Sequence, residues 1–129
     1  TVVNKLLNIA QPVAVLFGQK DAQQVFLVER MVRDLSMPVR VVVVETVREE
    51  SGLALSSRNR FLDERQHAAA RVLSQALDAA ESSGFGGLDG VIATAQSVIM
   101  GEPSVELDYL AVVNPATCRP VGDGYTGPA

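Results

Sequence analysis

The sequence predicts an α/β chain in which a βαβ unit is followed by a smaller α+β region. Three observations carry this expectation. Val13-Ala14-Val15-Leu16-Phe17 and Val39 to Val44 are continuous apolar runs, the pattern of strands buried on both faces in a parallel sheet. Between them apolar residues recur at helical spacing, so strand, helix and strand succeed one another. After Val44 the chain turns polar and then helical, which places a domain boundary near residue 46.

The elements follow in order. Val2, Val3, Leu6, Leu7 and Ala10 recur at helical spacing before Pro12, which predicts a helix from Val2 to Ile9. The first strand ends at Gly18. Val25, Leu27, Val28, Met31, Val32 and Leu35 form the stripe of a second helix, with Asp21 placed to favour its start and Pro38 closing it. Beyond the second strand, Arg48, Glu49, Glu50 and Ser51 read as a solvated loop. Asp63 is a candidate cap for a helix running through His67, Arg71, Val72, Leu77 and Ala80 to the break at Ser82-Ser83-Gly84-Phe85-Gly86-Gly87. A further helix spans about Leu88 to Met100, and Val105 to Val113 reads as a strand that alternates apolar and polar at its start. Both ends read as cut from a longer chain, since it opens on Thr1 directly in a helical pattern and closes on the turn-rich Gly122 to Ala129.

Composition narrows the function. With 129 residues and 47% hydrophobic content the chain can build a packed core, and disorder is excluded. The 11 basic and 15 acidic residues give a net charge of −4, which argues against a sequence-independent nucleic-acid binder, so any anion site is a local cluster. The single cysteine, Cys118, cannot form an internal disulfide and reads as a passive thiol in a reducing compartment. No apolar run approaches the roughly 20 residues of a membrane span, and no signal peptide is visible.

Two segments could carry chemistry. Gly18-Gln19-Lys20-Asp21-Ala22-Gln23-Gln24 lies at the carboxyl end of the first strand, where ligands gather in βαβ units. A helix start there offers unpaired N–H groups, to which Lys20 adds a mobile charge. Asp21 could accept from ribose hydroxyls, and Gln24, one turn beyond Lys20, could face the same pocket. The alternative is a pair of solvated residues at a helix start. The second segment, Gly52-Leu53-Ala54-Leu55-Ser56-Ser57-Arg58-Asn59-Arg60, supplies hydroxyls and a guanidinium fork suited to phosphate oxygens, with Gly52 allowing positive φ. The alternative is a polar turn and helix cap. His67, in an Ala- and Arg-rich helix, reads as an exposed or partly packed histidine rather than a general base.

These two segments, with Thr46-Val47-Arg48-Glu49 between them and Thr1-Val2-Val3-Asn4-Lys5-Leu6-Leu7 before them, closely resemble the pantothenate synthetase (pantoate–β-alanine ligase) family, with a weaker match to Asp108-Tyr109-Leu110. The resemblance implies the last βαβ unit of a Rossmann-like nucleotidyltransferase domain in residues 1–46, and a C-terminal α+β domain with the mobile ATP loop in 47–129. It also implies a cytoplasmic homodimer that uses ATP with Mg2+ to join pantoate and β-alanine through a pantoyl adenylate, releasing AMP and pyrophosphate. Carried over by position, Gly18, Gln19, Lys20, Asp21, Val47, Leu55, Ser56, Ser57 and Arg58 contact ATP, Lys20 and Arg58 are catalytic, and Gln24 holds pantoate. No metal ligand is implied among these residues, and neither nucleic acid nor membrane is a partner.

The sequence departs from the family pattern at Gln19 (usually glutamate), Ala22 (an aromatic), Val43 (glycine), Glu45 (proline) and Phe61 (tyrosine). The family's upstream histidine loop, its second pantoate-holding glutamine and its last strands are absent from these residues, so the 129-residue chain alone is expected to be inactive. Two other readings stand beside this one: a noncatalytic folded or self-associating module, and a related nucleotidyltransferase for another acid.

Overall fold

The structure is a computed structural model that describes residues 1–129. The chain is α/β and separates into two compact units, Thr1–Val47 and Arg48–Ala129, a division one residue beyond the expected boundary.

In the first unit, α1 (Val2–Ala10) closes at Gln11, whose left-handed backbone (φ 45°) lets its N–H reach Leu7 O at 2.9 Å. Pro12 follows and cannot continue the helix. Strands β1 (Ala14–Gly18) and β2 (Arg40–Val44) pair in parallel, Ala14 opposite Arg40 and Gly18 opposite Val44. The crossover between them is α2 (Ala22–Asp34), which packs on both strands and buries Val25 and Val28. The expected βαβ unit is therefore present, but its strands are not buried on both faces. Leu16 is 67% exposed and Val43 44%, because a sheet of two strands beneath one crossover helix leaves much of its apolar surface uncovered. The helical stripe is also narrower than its sequence pattern, since Leu27 and Leu35 are exposed.

The second unit opens with a tight hairpin in which Arg48 and Ala54 form an antiparallel bridge. A 3-10 turn (Ser57–Phe61) leads to α3 (Glu64–Ala70), started by Asp63 in a reciprocal capping box with Gln66. The single helix expected from Asp63 to Ala80 is broken at Arg71, after which α4 (Val72–Ser82) begins. At the break Arg71 keeps right-handed helical dihedrals (φ −60°, ψ −26°), but its N–H bonds three residues back, to Ala68 O at 3.4 Å, while Arg71 O accepts from both Gln75 N–H at 3.3 Å and the Ser74 hydroxyl at 3.0 Å. A short 3-10 turn (Gly84–Gly86) then joins α4 to α5 (Gly87–Met100), and the two helices pack as a hairpin.

The core of this unit is built from small residues that let α4 and α5 approach closely: Ala76, Ala95 and Ile99 are buried, with Ala80, Val98, Val105, Leu107 and Leu110 packed around them. Another expectation is overturned here. Val105 to Leu110 is not a strand: Val105, Leu107 and Leu110 seat on the helices and no neighbouring strand pairs with this stretch, although Val112 O accepts from Val121 N–H at 3.0 Å. Only β3 (Val113–Asn114) pairs, antiparallel, with β4 (Arg119–Pro120), so Asp108 and Tyr109 are not strand residues. Asn114 organises the intervening turn: its side-chain oxygen accepts from Ala116 N–H at 2.8 Å and its carbonyl from Cys118 N–H at 2.7 Å. No helix is long and apolar enough to cross a membrane.

Candidate functional site

The first candidate segment stands where the βαβ geometry requires. Gly18 ends β1, Gln19–Asp21 form one 3-10 turn, and α2 starts at Ala22, so the helix presents its unpaired N–H groups beside Lys20 and Asp21. Gly18, Gln19, Lys20, Asp21 and Gln24 are all exposed, and Lys20 forms no ion pair. Asp21 takes the capping position of α2, but its carboxylate makes no capping bond, which leaves both oxygens available to a ligand. Val47, the last residue of this unit, is 63% exposed.

In the second unit the sequence Gly52 to Arg60 folds as a hairpin corner followed by the 3-10 turn. Gly52 has φ 90°, as its assignment as a flexible corner required, and its N–H bonds to Glu49 O at 2.9 Å. Leu53 is buried and anchors the hairpin, while Leu55, Ser57 and Arg58 are exposed and Ser56 is half-buried. Ser56 caps the turn: its hydroxyl accepts from Arg58 N–H at 3.2 Å. The cap reading of this segment is thus realised together with an unpaired guanidinium, since Arg58 forms no ion pair. The neighbouring Arg60 lies 4.8 Å from the centroid of the Phe61 ring.

Glu49 behaves differently from its sequence assignment, whereas His67 is partly packed as expected. Glu49 is not a solvated loop residue: its side chain is 26% exposed and its carboxylate is the most heavily bonded group of the loop. One oxygen accepts from Asn59 Nδ2 at 3.1 Å, and the other meets His67 Nε2 at 3.0 Å and Ser51 Oγ at 3.4 Å. The carboxylate that His67 meets is thus one distant in sequence, brought to it by the fold. Arg48 stays exposed and donates to Gly52 O at 3.1 Å. Neither Glu49 nor Asn59 stood out in the sequence, because nothing in the local pattern marks residues that meet only after the hairpin closes.

Chemically, both segments offer cationic and N–H donors to an anion. No group of three or more His, Cys, Asp or Glu side chains converges to hold a metal ion.

Residues 1–126 match the family model described as pantoate-beta-alanine ligase. The chain is 54% identical over 129 residues to the pantothenate synthetase of Leifsonia xyli subsp. xyli, and 47% identical over 133 residues to that of Thermobifida fusca. Each alignment covers 100% of this chain and 45% of the relative, so the chain spans less than half the length of the curated relatives it matches. Among solved structures, the pantoate-β-alanine ligase (pantothenate synthetase) of Thermus thermophilus superposes with a TM-score of 0.90 at 46% identity, covering 98% of this chain and 47% of that one. The Francisella tularensis pantoate-β-alanine ligase, complexed with β-γ ATP and β-alanine, matches with a TM-score of 0.57 at 33% identity, over 75% of this chain and 36% of that one.

Proposed function

Because this chain belongs to the pantoate-beta-alanine ligase family, we propose that the whole protein joins pantoate to β-alanine with cleavage of ATP to AMP and pyrophosphate. The observation that carries the reading is the run Gly18 to Gln24: a strand-ending glycine, an unpaired lysine and a helix start, within a chain matched to the family from residue 1 to 126. The Thr1–Val47 unit is then the last βαβ unit of a Rossmann-like nucleotidyltransferase domain, and the Arg48–Ala129 unit an α+β domain carrying the ATP loop.

In this reading the pantoate carboxylate attacks the α-phosphorus of ATP, the bond to the β-phosphate oxygen breaks, and pyrophosphate leaves. The β-alanine amine then attacks the acyl carbon of the pantoyl adenylate, AMP departs, and the amine loses a proton as the amide forms. Both steps build charge on phosphate oxygens. Lys20 with the N–H groups at the start of α2, and Arg58 with the Ser56–Ser57 donors, are each suited to bind such charge. Gly18, Gln19 and Val47 lie along the nucleotide, Leu55 belongs to the ATP loop, Asp21 accepts from the ribose, and Gln24 holds pantoate. Mg2+ accompanies ATP and neutralises phosphate charge, and the protein works as a cytoplasmic homodimer.

Titrating ATP into the chain by calorimetry, alongside Lys20→Ala and Arg58→Ala, tests the assignment. Each substitution removes a charge-assisted hydrogen bond and is expected to weaken binding about tenfold. Equal affinity in all three proteins overturns it.

A further inference from the structure

We propose that Glu49 is a positioning residue, whose carboxylate fixes through Asn59 and His67 the turn that presents Arg58. The proposal rests on the reading of Arg58 as a phosphate-binding group, and it goes beyond that reading by assigning what holds the guanidinium in place.

The geometry is a clamp of three elements. Glu49 sits in the hairpin, Asn59 in the Ser57–Phe61 turn and His67 in α3. The Asn59 amide donates twice, to Glu49 Oε1 and to Ala54 O, each at 3.1 Å, so it spans the open side of the hairpin. Its backbone closes the turn in both directions, with Asn59 N–H on Ser56 O at 3.1 Å and Leu62 N–H on Asn59 O at 3.0 Å. Arg58 immediately precedes Asn59; its guanidinium forms no ion pair, while its backbone is held by its neighbour and by its own N–H on Ser56 Oγ at 3.2 Å.

His67 holds the carboxylate from the opposite side. Its Nε2–H can donate to Glu49 Oε2 at 3.0 Å in the neutral tautomer as well as in the cation, so the clamp does not require a charged histidine. A short polar loop would otherwise sample many backbone states, and ordering Arg58 beforehand lowers the entropic cost of closing on an anion. A carboxylate with three donors suits this task, because charged hydrogen bonds are stronger than neutral ones.

Amide hydrogen exchange followed by NMR on the 129-residue chain tests the clamp. Glu49→Ala is expected to speed exchange at the Asn59 and Leu62 amides about tenfold, while the amides of α4 and α5 keep their wild-type rates. Glu49→Gln keeps an acceptor for Asn59 and moves less. His67→Gln, which retains a side-chain donor, stays near wild type, whereas His67→Ala loosens the same two amides. If Glu49→Ala does not fold, Glu49→Gln and His67→Ala give the same readout. Unchanged exchange at Asn59 and Leu62 overturns the proposal, as does a uniform rise across α4 and α5, which would mark a merely structural carboxylate. The Arg58 Nε–H signal under added ATP separates the two readings. Loosened turn amides with no ATP response in the wild type uphold the clamp and remove only the phosphate assignment.

Discussion

A Cβ added at Gly52 would stand 2.9 Å from the Ser74 hydroxyl oxygen, so the corner of the phosphate-like loop closes directly against α4. Ser74 is itself buried and donates to Arg71 O at 3.0 Å, which holds the hydroxyl where the Cβ would come. Gly52 thus meets two independent demands: a backbone at φ 90° and a neighbour with no room.

Gly52→Ala is expected to destabilise the chain by about 1–3 kcal/mol, from backbone strain and the close contact together. Adding Ser74→Ala relieves the contact and not the strain, so the double variant recovers part of the loss. Urea denaturation of the three proteins measures both parts.

Ala95 has no exposed surface and faces the equally tight Ala76 across the α4–α5 hairpin core. Ala95→Leu forces the helices apart and is expected to cost about 1–3 kcal/mol. Ala93→Leu, at an exposed position of the same helix, serves as the control and shifts the thermal midpoint little.

Asp63 accepts from Gln66 N–H at 2.7 Å, and the Gln66 side chain accepts from Asp63 N–H at 3.0 Å. Asp63→Ala removes one half of this box and is expected to cost about 1 kcal/mol, whereas Asp63→Ser keeps a capping oxygen and retains most of it. Because α3 carries His67, amide exchange in 64–70 reads the loss locally.

The Arg30 hydrogen bond, at 2.8 Å, and the nearby Arg33 hold the Asp34 carboxyl below the ordinary carboxylate range. Hydrogen bonds from the Ser104 hydroxyl and N–H do the same for Glu102. A depressed folded value means that each group stabilises the fold above its unfolded value, and that this contribution is lost as pH falls through the folded one. Both carboxyls face solvent, so the effect is small and screened by salt. Asp34→Asn is expected to flatten the fall of stability below about pH 5 at low ionic strength, as followed by denaturant midpoints against pH.

Much of the fold was legible because it is written locally. The apolar runs before Gly18 and Val44, the stripe of α2 and the turn residues around Gly84 each depend on residues close in sequence, and each produced the element expected. The candidate site was legible in its residue types alone. Gly18, Lys20, Ser57 and Arg58 suggested anion chemistry, but that Lys20 and Arg58 form no ion pair could be read only from the folded chain.

Sequence by itself determined the order strand, glycine, lysine, helix, strand, and with it the place where a ligand could meet the βαβ unit. Tertiary structure decided everything that required a distant partner. Val105 to Leu110 alternates like a strand but lies on α4 and α5, because packing of its apolar residues prevails where no neighbouring strand completes the hydrogen bonds. Arg71 interrupts a continuous helical pattern with a tighter turn, its N–H on Ala68 O at 3.4 Å. Glu49 and His67, bland in sequence, become a bonded pair because the hairpin and α3 bring them within 3.0 Å. Periodicity fixes which face a residue takes within its own element; only the path of the chain fixes which charge it meets there.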